Sequence, residues 1–298
     1  MTSVLTLIAG IDGPALDHSI AEQARAALAD CGADAGVPDW LAAGAACDIP
    51  FAGPAAEAAQ AAVRARLGAR PVDLAAQAAA GRRKRLFVAD MDSTMITGES
   101  LDELAAYAGK KDEVAALTAR AMNGEIDYRS SLRARVAMLK GLKLSAMEEV
   151  AARIAATPGA RTLVQTMRAH GAHTLLVTSG FRYFSSRVRD ALGFHDAISN
   201  DLEMDGDRLT GAVKEPILNR DGKREALERA AAERGIPLEA ALAVGDGAND
   251  LDMLARAGLG VAFRAKPVVA AAARARVDHA DLTALLYLQG YRRDEFAG

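Results

Sequence analysis

This 298-residue chain contains few cysteines, few aromatic residues and little net charge. Its two cysteines, Cys31 and Cys47, cannot build a disulfide framework or a four-thiolate zinc site, and such scarcity is typical of a reducing compartment. Aromatic residues make up 4% of the chain and the net charge is −3. The sequence therefore indicates neither base stacking nor a strong field that would attract nucleic acid or acidic lipid.

Signals for export or membrane insertion are also lacking. The N-terminal sequence MTSVLTLIAG has no basic start of the kind that signal peptides show, and no apolar run reaches about 18 residues. Hydrophobic residues, in contrast, make up 51% of the chain, which is enough to bury a sizeable core. We therefore expect a soluble, cytoplasmic protein that binds neither nucleic acid nor a membrane.

The chain divides at a basic run, Arg82 to Arg85, which predicts a solvated linker. A length of 298 residues favours about two domains, at roughly 150 residues per domain. Before the linker, a strand pattern at 4–8 and helical patterns at 21–29 and 55–67 indicate a small α+β module over residues 1–80.

After the linker, short apolar runs are typical of buried parallel strands. These runs lie at 86–89, 174–177, 241–244 and 260–263. Helical patterns follow the last three, at 183–192, 249–257 and 267–276. Strand, turn and helix in repetition predict an α/β core with a parallel sheet, whose ligands bind beyond the carboxyl ends of the strands.

About 84 residues separate the first two of these strands, which is too long for one crossover helix. Ser100 and Glu103 fit a capping box that starts a helix, and Gly109 ends it. Further helices are expected at 111–122, 128–139 and 145–155, and Asp205-Gly206 predicts a small hairpin. We expect a core of residues 84–94 and 160–298, with a helical cap at 95–159.

The sharpest chemical motif is Asp90-Met-Asp92-Ser-Thr, directly after the first apolar run. At strand spacing the two carboxylates point to the same side, so a proton or a cation must offset their repulsion. A calcium loop is excluded, because Met95 stands where glycine is needed and Leu101 where glutamate is needed.

Three further features follow later strands. Gly245-Asp246-Gly-Ala-Asn249-Asp250 permits a tight turn with two carboxylates, but it matches neither a dinucleotide fingerprint nor a phosphate-binding P-loop. Thr178-Ser179-Gly180 places a hydroxyl at a strand end, with N–H groups that open the next helix and suit an anion. Lys223 opens the helical pattern 223–234 against the helix dipole, which indicates an anionic partner.

A parallel sheet would gather these groups in one crevice. The chemistry that they suit is phosphoryl transfer, in which Mg²⁺ lets a carboxylate approach a phosphate dianion. One aspartate would attack phosphorus, while the other would protonate the leaving oxygen and then activate water.

Together these motifs resemble the haloacid dehalogenase-like hydrolases, and within them the phosphoserine phosphatases, over roughly residues 84–290. The resemblance implies a Rossmann-like core with an inserted helical cap. It implies that Asp90 is the nucleophile, which forms an aspartyl-phosphate, and that Asp92 is the general acid/base and gives Mg²⁺ its backbone carbonyl. It further implies that Asp246 is the remaining protein ligand of Mg²⁺, that Asp250 is a supporting carboxylate, and that Lys223 holds the phosphate and balances the carboxylates.

The resemblance also implies how an amino-acid substrate is recognised. Glu99 would pair with the substrate ammonium and Arg135 would bind its carboxylate. The remaining substrate-binding positions are Met122, Tyr128, Thr178, Ser179, Gly180, Lys223 and Asn249. Two of them depart from the family pattern: Tyr128 replaces a usual phenylalanine, and Ser179 replaces a glycine, which would be strained if the position needs a positive φ.

The function that follows from the resemblance is Mg²⁺-dependent hydrolysis of O-phospho-L-serine, the last step of L-serine biosynthesis. Residues 1–80 resemble the ACT amino-acid-binding fold, which implies an amino-acid ligand there, and alanine-rich helical faces would allow a homodimer. Alternatives are a phosphotransferase to another alcohol such as homoserine, a broader phosphomonoesterase, or a regulator whose phosphatase unit is inactive.

Overall fold

The structure, a computed structural model, describes residues 2–122 and 125–297, and of Met122 it describes the backbone alone. The N-terminal module comprises β1 (Ser3–Ala9), α1 (His18–Asp30), β2 (Asp34–Ala35), β3 (Asp39–Ala42), β4 (Ala46–Ala52), α2 (Ala56–Leu67) and β5 (Val72–Ala78). The predicted strand and both predicted helices of this module are confirmed.

The module is built on an antiparallel sheet in the order β2-β4-β1-β5, with β3 also paired to β4. Both helices bury alanine and branched aliphatic side chains against this sheet, so one apolar cluster joins them to it. With the short additional strand β3 left aside, the order is β-α-β-β-α-β, and with these neighbours it is the ferredoxin-like arrangement. The two βαβ units that the ACT resemblance requires are therefore present in outline.

The remaining elements follow in chain order. The first group is β6 (Leu86–Ala89), α3 (Ser100–Tyr107), α4 (Lys111–Met122), α5 (Tyr128–Ala137), α6 (Leu144–Arg153) and α7 (Ala160–Ala169). The second is β7 (His173–Phe181), α8 (Arg182–Leu192), β8 (Asp196–Asn200), β9 (Leu202–Asp205), β10 (Arg208–Val213) and α9 (Arg220–Glu233). The last is β11 (Ala241–Gly245), α10 (Leu251–Arg256), β12 (Leu259–Phe263), α11 (Pro267–Ala272), β13 (Ala275–Val277) and α12 (Ala284–Leu288).

The core sheet is parallel, in the order β13-β12-β11-β6-β7-β8, and all four predicted strands belong to it. The buried strand β6 lies between β11 and β7, so the carboxyl ends of these three strands meet at one edge. The predicted α/β class is confirmed. This order places the strand ends that carry the aspartate motifs side by side.

One predicted helix, 267–276, is too long. Helix α11 ends at Ala272, and Ala275–Val277 forms the edge strand β13, paired with β12. Alanine favours a helix intrinsically, but Ala275 and Val277 are buried in the sheet, and this tertiary burial outweighs the propensity.

The cap contains the four predicted helices, α3 to α6, between β6 and β7. The predicted capping box is wrong, because Ser100 is the first helical residue and Glu99 is the N-cap, with no side-chain capping bond. Instead the Ser100 N–H donates to the Asp92 carboxylate over 2.7 Å. Gly109 follows α3 with φ +67, as expected of a residue that ends a helix.

Two chain segments join the cap to the core, and they bond to each other. Thr97 N donates to Ala155 O over 2.9 Å, and Thr157 N donates to Met95 O over 3.0 Å. The hairpin β9–β10, predicted at Asp205-Gly206, bonds to the cap through Gly141 N and Leu209 O, 2.8 Å apart. The hairpin therefore extends the cap, although it lies within the predicted core range.

The basic run is the solvated linker that its charge predicts only in part: Arg83 and Arg85 are exposed, whereas Arg82 is half-buried and Lys84 is buried. Lys84 is 9% exposed, and its Nζ donates to the backbone carbonyls of Gly81 and Glu239. Arg82 pairs with buried Asp48, which already accepts a hydrogen bond from Thr6 inside the module. The module accepts from Arg82 and the core accepts from Lys84, so these two residues connect the two units, while Arg83 and Arg85 stay exposed.

A carboxylate also ties the module to the core. Asp73, on β5, is 1% exposed and accepts backbone N–H groups from Asp278, His279 and Ala280, at 2.7 to 3.0 Å for the shortest contact of each. In the part of the chain that the structure describes, no helix has the length and apolarity needed to cross a bilayer.

Candidate active site

A cavity of about 360 Å³ lies between the carboxyl ends of β6, β7 and β11 and the cap. The predicted site residues that line it are Asp90, Asp92, Glu99, Tyr128, Arg135, Thr178, Ser179, Gly180, Asp246 and Asn249. Lys223 and Asp250 lie fully buried beside it, each 0% exposed. The side chain of Met122 lies outside what the structure describes.

Lys223 joins two of the aspartates. Its Nζ lies 2.6 Å from Asp90 Oδ1 and 2.7 Å from Asp250 Oδ1. Burial alone would lower the pKa of Lys223, but the charges of Asp250 and Asp90 outweigh burial and raise it. The lysine therefore stays protonated and holds Asp90 at the end of its strand.

Carboxylate oxygens of Asp90, Asp246 and Asp250 lie within 4.8 Å of one another, and all three residues are buried. With Lys223 the cluster has a formal charge of −2, which is costly in a buried site. Burial and the charge of Asp250 raise the pKa of both Asp90 and Asp246. A divalent cation would cancel this charge, and carboxylate oxygens are the ligands that hard cations prefer, so the residues fit such an ion.

Asp92 lies outside this cluster and is held from the other side. Its Oδ1 accepts the Ser100 N–H, and its Oδ2 accepts the Thr178 hydroxyl over 3.3 Å. Burial raises the pKa of Asp92, while the bonds from Ser100 and Thr178 oppose that rise. A Cβ on Gly180 would come within 2.8 Å of Asp92 Oδ2, so a glycine is needed for this close approach.

The turn after β6 contains a strained residue. Ser93 has φ +57, and its Oγ donates to Glu99 Oε1 over 2.7 Å. Glu99 is exposed at the mouth of the cleft, yet desolvation of its carboxylate and the nearby Asp92 charge raise its pKa to about 7. The DxDST motif thus orients Glu99 through its serine, a contact that the sequence pattern alone did not indicate.

Glycine is needed in the turn after β11 because the Asp250 side chain packs directly against the backbone there, and not only because the turn is tight. Gly247 N donates to Asp250 Oδ2 over 3.0 Å, and a Cβ on Gly245 would come within 2.4 Å of the Asp250 carboxyl carbon. Thr94 Oγ1 donates to Asp246 Oδ1 over 3.2 Å, which links this turn to the DxDST motif. The two aspartate motifs therefore hold each other in place.

The segment Thr178-Ser179-Gly180 does not open a helix as predicted. Strand β7 continues to Phe181 with an irregular register against β8, and α8 begins at Arg182. The non-glycine residues with positive φ in the described chain are Ser93 and Arg264, so the serine at 179 is not strained. Its Oγ accepts from Asn249 Nδ2 over 3.4 Å.

The cap contributes a buried cation. Arg135 is 9% exposed, and its NH1 donates to Thr118 Oγ1 over 3.1 Å. Burial lowers the pKa of Arg135, while Tyr128, Asp102 and Glu99 oppose that change. Burial raises the pKa of Tyr128, and the Ser179 hydroxyl on the facing strand end opposes the rise. The two positions that depart from the family pattern thus face each other across the cleft.

Two further cations line the cleft, and sequence reasoning did not find them. Lys266 follows β12, the last of the four strands predicted from apolar runs. Its backbone N–H donates to the backbone carbonyl of Asp246 over 3.1 Å. Arg220, the first residue of α9, pairs with Asp252 over 2.6 Å. The position of Lys266 after a strand end is the signal that could have identified it.

The sequence model of the haloacid dehalogenase-like hydrolases matches residues 87–255. The chain is 48% identical over 226 residues to a phosphoserine phosphatase from Streptomyces coelicolor, covering 75% of this chain and 55% of that protein. It is 46% identical over 210 residues to a phosphoserine phosphatase from Polaromonas sp., covering 68% of this chain and 89% of that protein. The chain spans 53% to 59% of three of the curated relatives that it matches.

Solved structures are similar over nearly the whole chain. A haloacid dehalogenase family hydrolase from Salmonella enterica serovar Typhi has a TM-score of 0.84 at 27% identity, covering 96% of this chain and 98% of that one. A probable phosphoserine phosphatase from Vibrio cholerae, in its unliganded form, has a TM-score of 0.78 at 29% identity, covering 99% of this chain and 88% of that one.

Proposed function

The chain belongs to the haloacid dehalogenase-like hydrolase family, and on that premise we propose that it hydrolyses O-phospho-L-serine to L-serine and inorganic phosphate. The observation that carries the proposal is the convergence of Asp90, Asp246 and Asp250 on Lys223 at the edge of the sheet. The names of the curated relatives support the choice of substrate.

Asp90 is the nucleophile in the reaction that we propose. One of its carboxylate oxygens bonds to phosphorus as the bond from phosphorus to the serine oxygen breaks, which leaves an aspartyl-phosphate. Lys223, 2.6 Å from Asp90, balances the carboxylates before the step and holds a phosphate oxygen during it.

Asp92 is the general acid and then the general base in this proposal. It protonates the departing serine oxygen, and it then takes a proton from the water that attacks the aspartyl-phosphate, which releases phosphate and restores Asp90. Its bonds from Ser100 and Thr178 keep its carboxyl group away from the acidic cluster. The raised pKa that burial gives Asp92 favours the protonated form needed for the first step.

The divalent cation that we propose is Mg²⁺. Asp90, Asp246 and the backbone carbonyl of Asp92 would hold it, with Asp250 as the supporting carboxylate. When bound, it supplies the positive charge that lets a phosphate dianion approach the carboxylate cluster.

Substrate selection falls to the cap and to the strand ends in this proposal. Glu99 pairs with the ammonium of phosphoserine, and Arg135 binds its carboxylate through two N–H groups. Tyr128 covers the site with its ring. The groups that contact the phosphate and the rest of the substrate are Thr178, Ser179, Gly180, Lys223 and Asn249.

The test is a screen of phosphate release across phosphoserine, phosphothreonine and sugar phosphates, with Mg²⁺ and with a chelator. We expect Mg²⁺-dependent release that is fastest for phosphoserine in plain buffer. Release that needs an added alcohol acceptor would instead indicate a phosphotransferase, and equal rates on all esters would indicate a broad phosphomonoesterase.

We further propose that the protein acts in the cytoplasm as a homodimer, at the last step of serine biosynthesis. Support comes from the two free cysteines, which suit a reducing compartment, and from the alanine-rich helices. The amino-acid ligand of residues 1–80 also stays a proposal, supported by the ferredoxin-like order of that module.

A further inference from the structure

A second cavity, of about 340 Å³, lies between the N-terminal module and the core. The module lines it with the face of α2 that carries Glu57, Gln60 and Arg64, and with Arg70 in the turn before β5. The core lines it from the end of β13, with Arg276 among the lining residues. None of its lining residues also lines the cleft around Asp90.

The walls of this cavity are held by hydrogen bonds. Gln60 Oε1 accepts the Ala76 N–H over 2.9 Å, and Arg64 NH1 donates to Val72 O over 2.8 Å. On the core side, the buried Asp73 carboxylate fixes the backbone N–H groups of residues 278–280. A cavity whose walls are fixed in this way is preformed, which lowers the entropic cost of binding a ligand.

Among the residues that line the cavity, three arginines from both sides of the domain boundary outnumber two carboxylates, Glu57 and Asp278. Arg64 and Arg70 come from the module, and Arg276 comes from the core. Asp278 and Arg276 pair over 2.5 Å, which offsets the charge of both and leaves Arg64 and Arg70 against Glu57. Burial and the charge of Arg276 both lower the pKa of Arg64, against Asp73 and Asp278, which raise it. An anion between the two guanidinium groups would relieve their repulsion.

Guanidinium groups bind carboxylate and phosphate through paired N–H donors. Among the residues that the structure describes, Arg64 uses one of its five N–H donors, for Val72 O. We propose that this cavity binds a small oxyanion, a carboxylate or a phosphate, which bridges the module and the core. The proposal does not depend on the reaction at Asp90.

The test is isothermal titration of the full chain, without Mg²⁺, using inorganic phosphate and, separately, L-serine as probes. The variants are Arg64→Gln on the module and Arg276→Gln on the core. The matched control is Arg66→Gln, since Arg66 lies on the same helix but pairs with Asp30 outside the cavity. We expect about 10-fold or greater loss of affinity in both variants and none in the control.

Two further variants separate the cavity from the catalytic cleft and guard against misfolding. Arg135→Ala should weaken carboxylate binding in the cleft and leave the cavity unchanged. Glu57→Gln removes an exposed negative charge from the cavity wall, so it should tighten anion binding about 2- to 5-fold. A folding defect would weaken binding instead. The probe whose affinity falls in both Arg64→Gln and Arg276→Gln identifies the class of oxyanion that the cavity binds.

The proposal is overturned if neither probe binds at millimolar concentration. It is also overturned if Arg64→Gln and Arg276→Gln bind both probes as the control does. If Arg64→Gln fails to fold, Arg276→Gln and Glu57→Gln decide the question by their opposite expected shifts.

Discussion

The carboxylate of Asp92 accepts the backbone N–H of Ser100, the first residue of α3, over 2.7 Å. A side chain at the end of the core sheet thus accepts a hydrogen bond from the N-terminus of α3, the first helix of the cap domain. Replacing Asp92 should therefore separate two effects, since asparagine keeps an oxygen acceptor but loses the acid/base function that we propose for Asp92.

We expect Asp92→Asn to lower kcat by at least ~10²-fold while the melting temperature changes little. Asp92→Ala should lower kcat as well and should also destabilise the protein by about 1 kcal/mol through the lost cap. Turnover numbers and thermal unfolding of both variants would check this. An Asp92→Asn variant with nearly normal turnover would contradict the proton role.

Asp90 should be indispensable for turnover. Its carboxylate lies 2.6 Å from Lys223, and among the residues that the structure describes no other carboxylate at the end of β6 makes this contact. We expect Asp90→Asn to lower kcat by at least ~10³-fold, because an amide does not replace the nucleophile. Acid quenching with labelled substrate should trap phosphate on the native chain and not on the variant. Substantial turnover in the variant would exclude the covalent route.

Arg135 should select for the amino-acid part of the substrate. We expect Arg135→Ala to lower kcat/KM for phosphoserine by ~10- to 100-fold, and to affect p-nitrophenyl phosphate, which has no carboxylate, far less. Arg133→Ala is the matched control, because Arg133 lies on the same helix but pairs with Glu215 and is exposed. Equal losses on both substrates would remove the basis for phosphoserine.

Glu99 should give substrate binding a dependence on pH. Desolvation of its carboxylate and the charge of Asp92 raise its pKa to about 7, so the carboxylate is charged above that pH and neutral below it. We expect KM for phosphoserine to rise as pH falls through 7, since a neutral Glu99 no longer attracts the substrate ammonium. Dividing the KM for phosphoserine by the KM for p-nitrophenyl phosphate cancels the effect of titrating the phosphate group, which both substrates share. Glu99→Gln should abolish the dependence of this ratio on pH, and a ratio that keeps its slope in the variant would exclude Glu99 as the cause.

Gly180 should be required for a steric reason. A Cβ at this position would lie 2.8 Å from Asp92 Oδ2 and 3.1 Å from Thr178 Oγ1. We expect Gly180→Ala to displace Asp92 and to lower kcat by ~10- to 100-fold, with little change in the melting temperature. Normal turnover in a folded variant would mean that the site accommodates the methyl group.

The convergence of the aspartate motifs could be predicted from the sequence because it follows from topology. Apolar runs before Asp90 and Asp246 indicate parallel strands, and the carboxyl ends of parallel strands meet at one edge. From the residues alone, the partner of Lys223 was predictable only as an anion, and the family resemblance added that Lys223 balances the carboxylates. Its contacts with Asp90 and Asp250 depend on the packing of α9.

Features set by distant groups could not be predicted. Ser100 and Glu103 form a good local capping pattern, but Asp92 competes for the Ser100 N–H from outside the helix. Lys84 lies in a charge run that is usually hydrated, yet it is buried and donates to the carbonyls of Gly81 and Glu239. The short strands β2 and β3 have too few residues for a periodic pattern, so the order of the module's sheet emerges only from its pairing.

The paired segments at Met95–Thr97 and Ala155–Thr157 have a consequence for how such proteins diversify. The chain leaves the sheet and returns to it through neighbouring, mutually bonded residues, so a whole insertion can be exchanged there while the strands stay in register. Asp90 and Asp246 lie outside the insertion, and Arg135 lies within it. Mutation of the insertion can therefore change the substrate recognition that we propose for Arg135 while the aspartate cluster at the edge of the sheet is inherited intact.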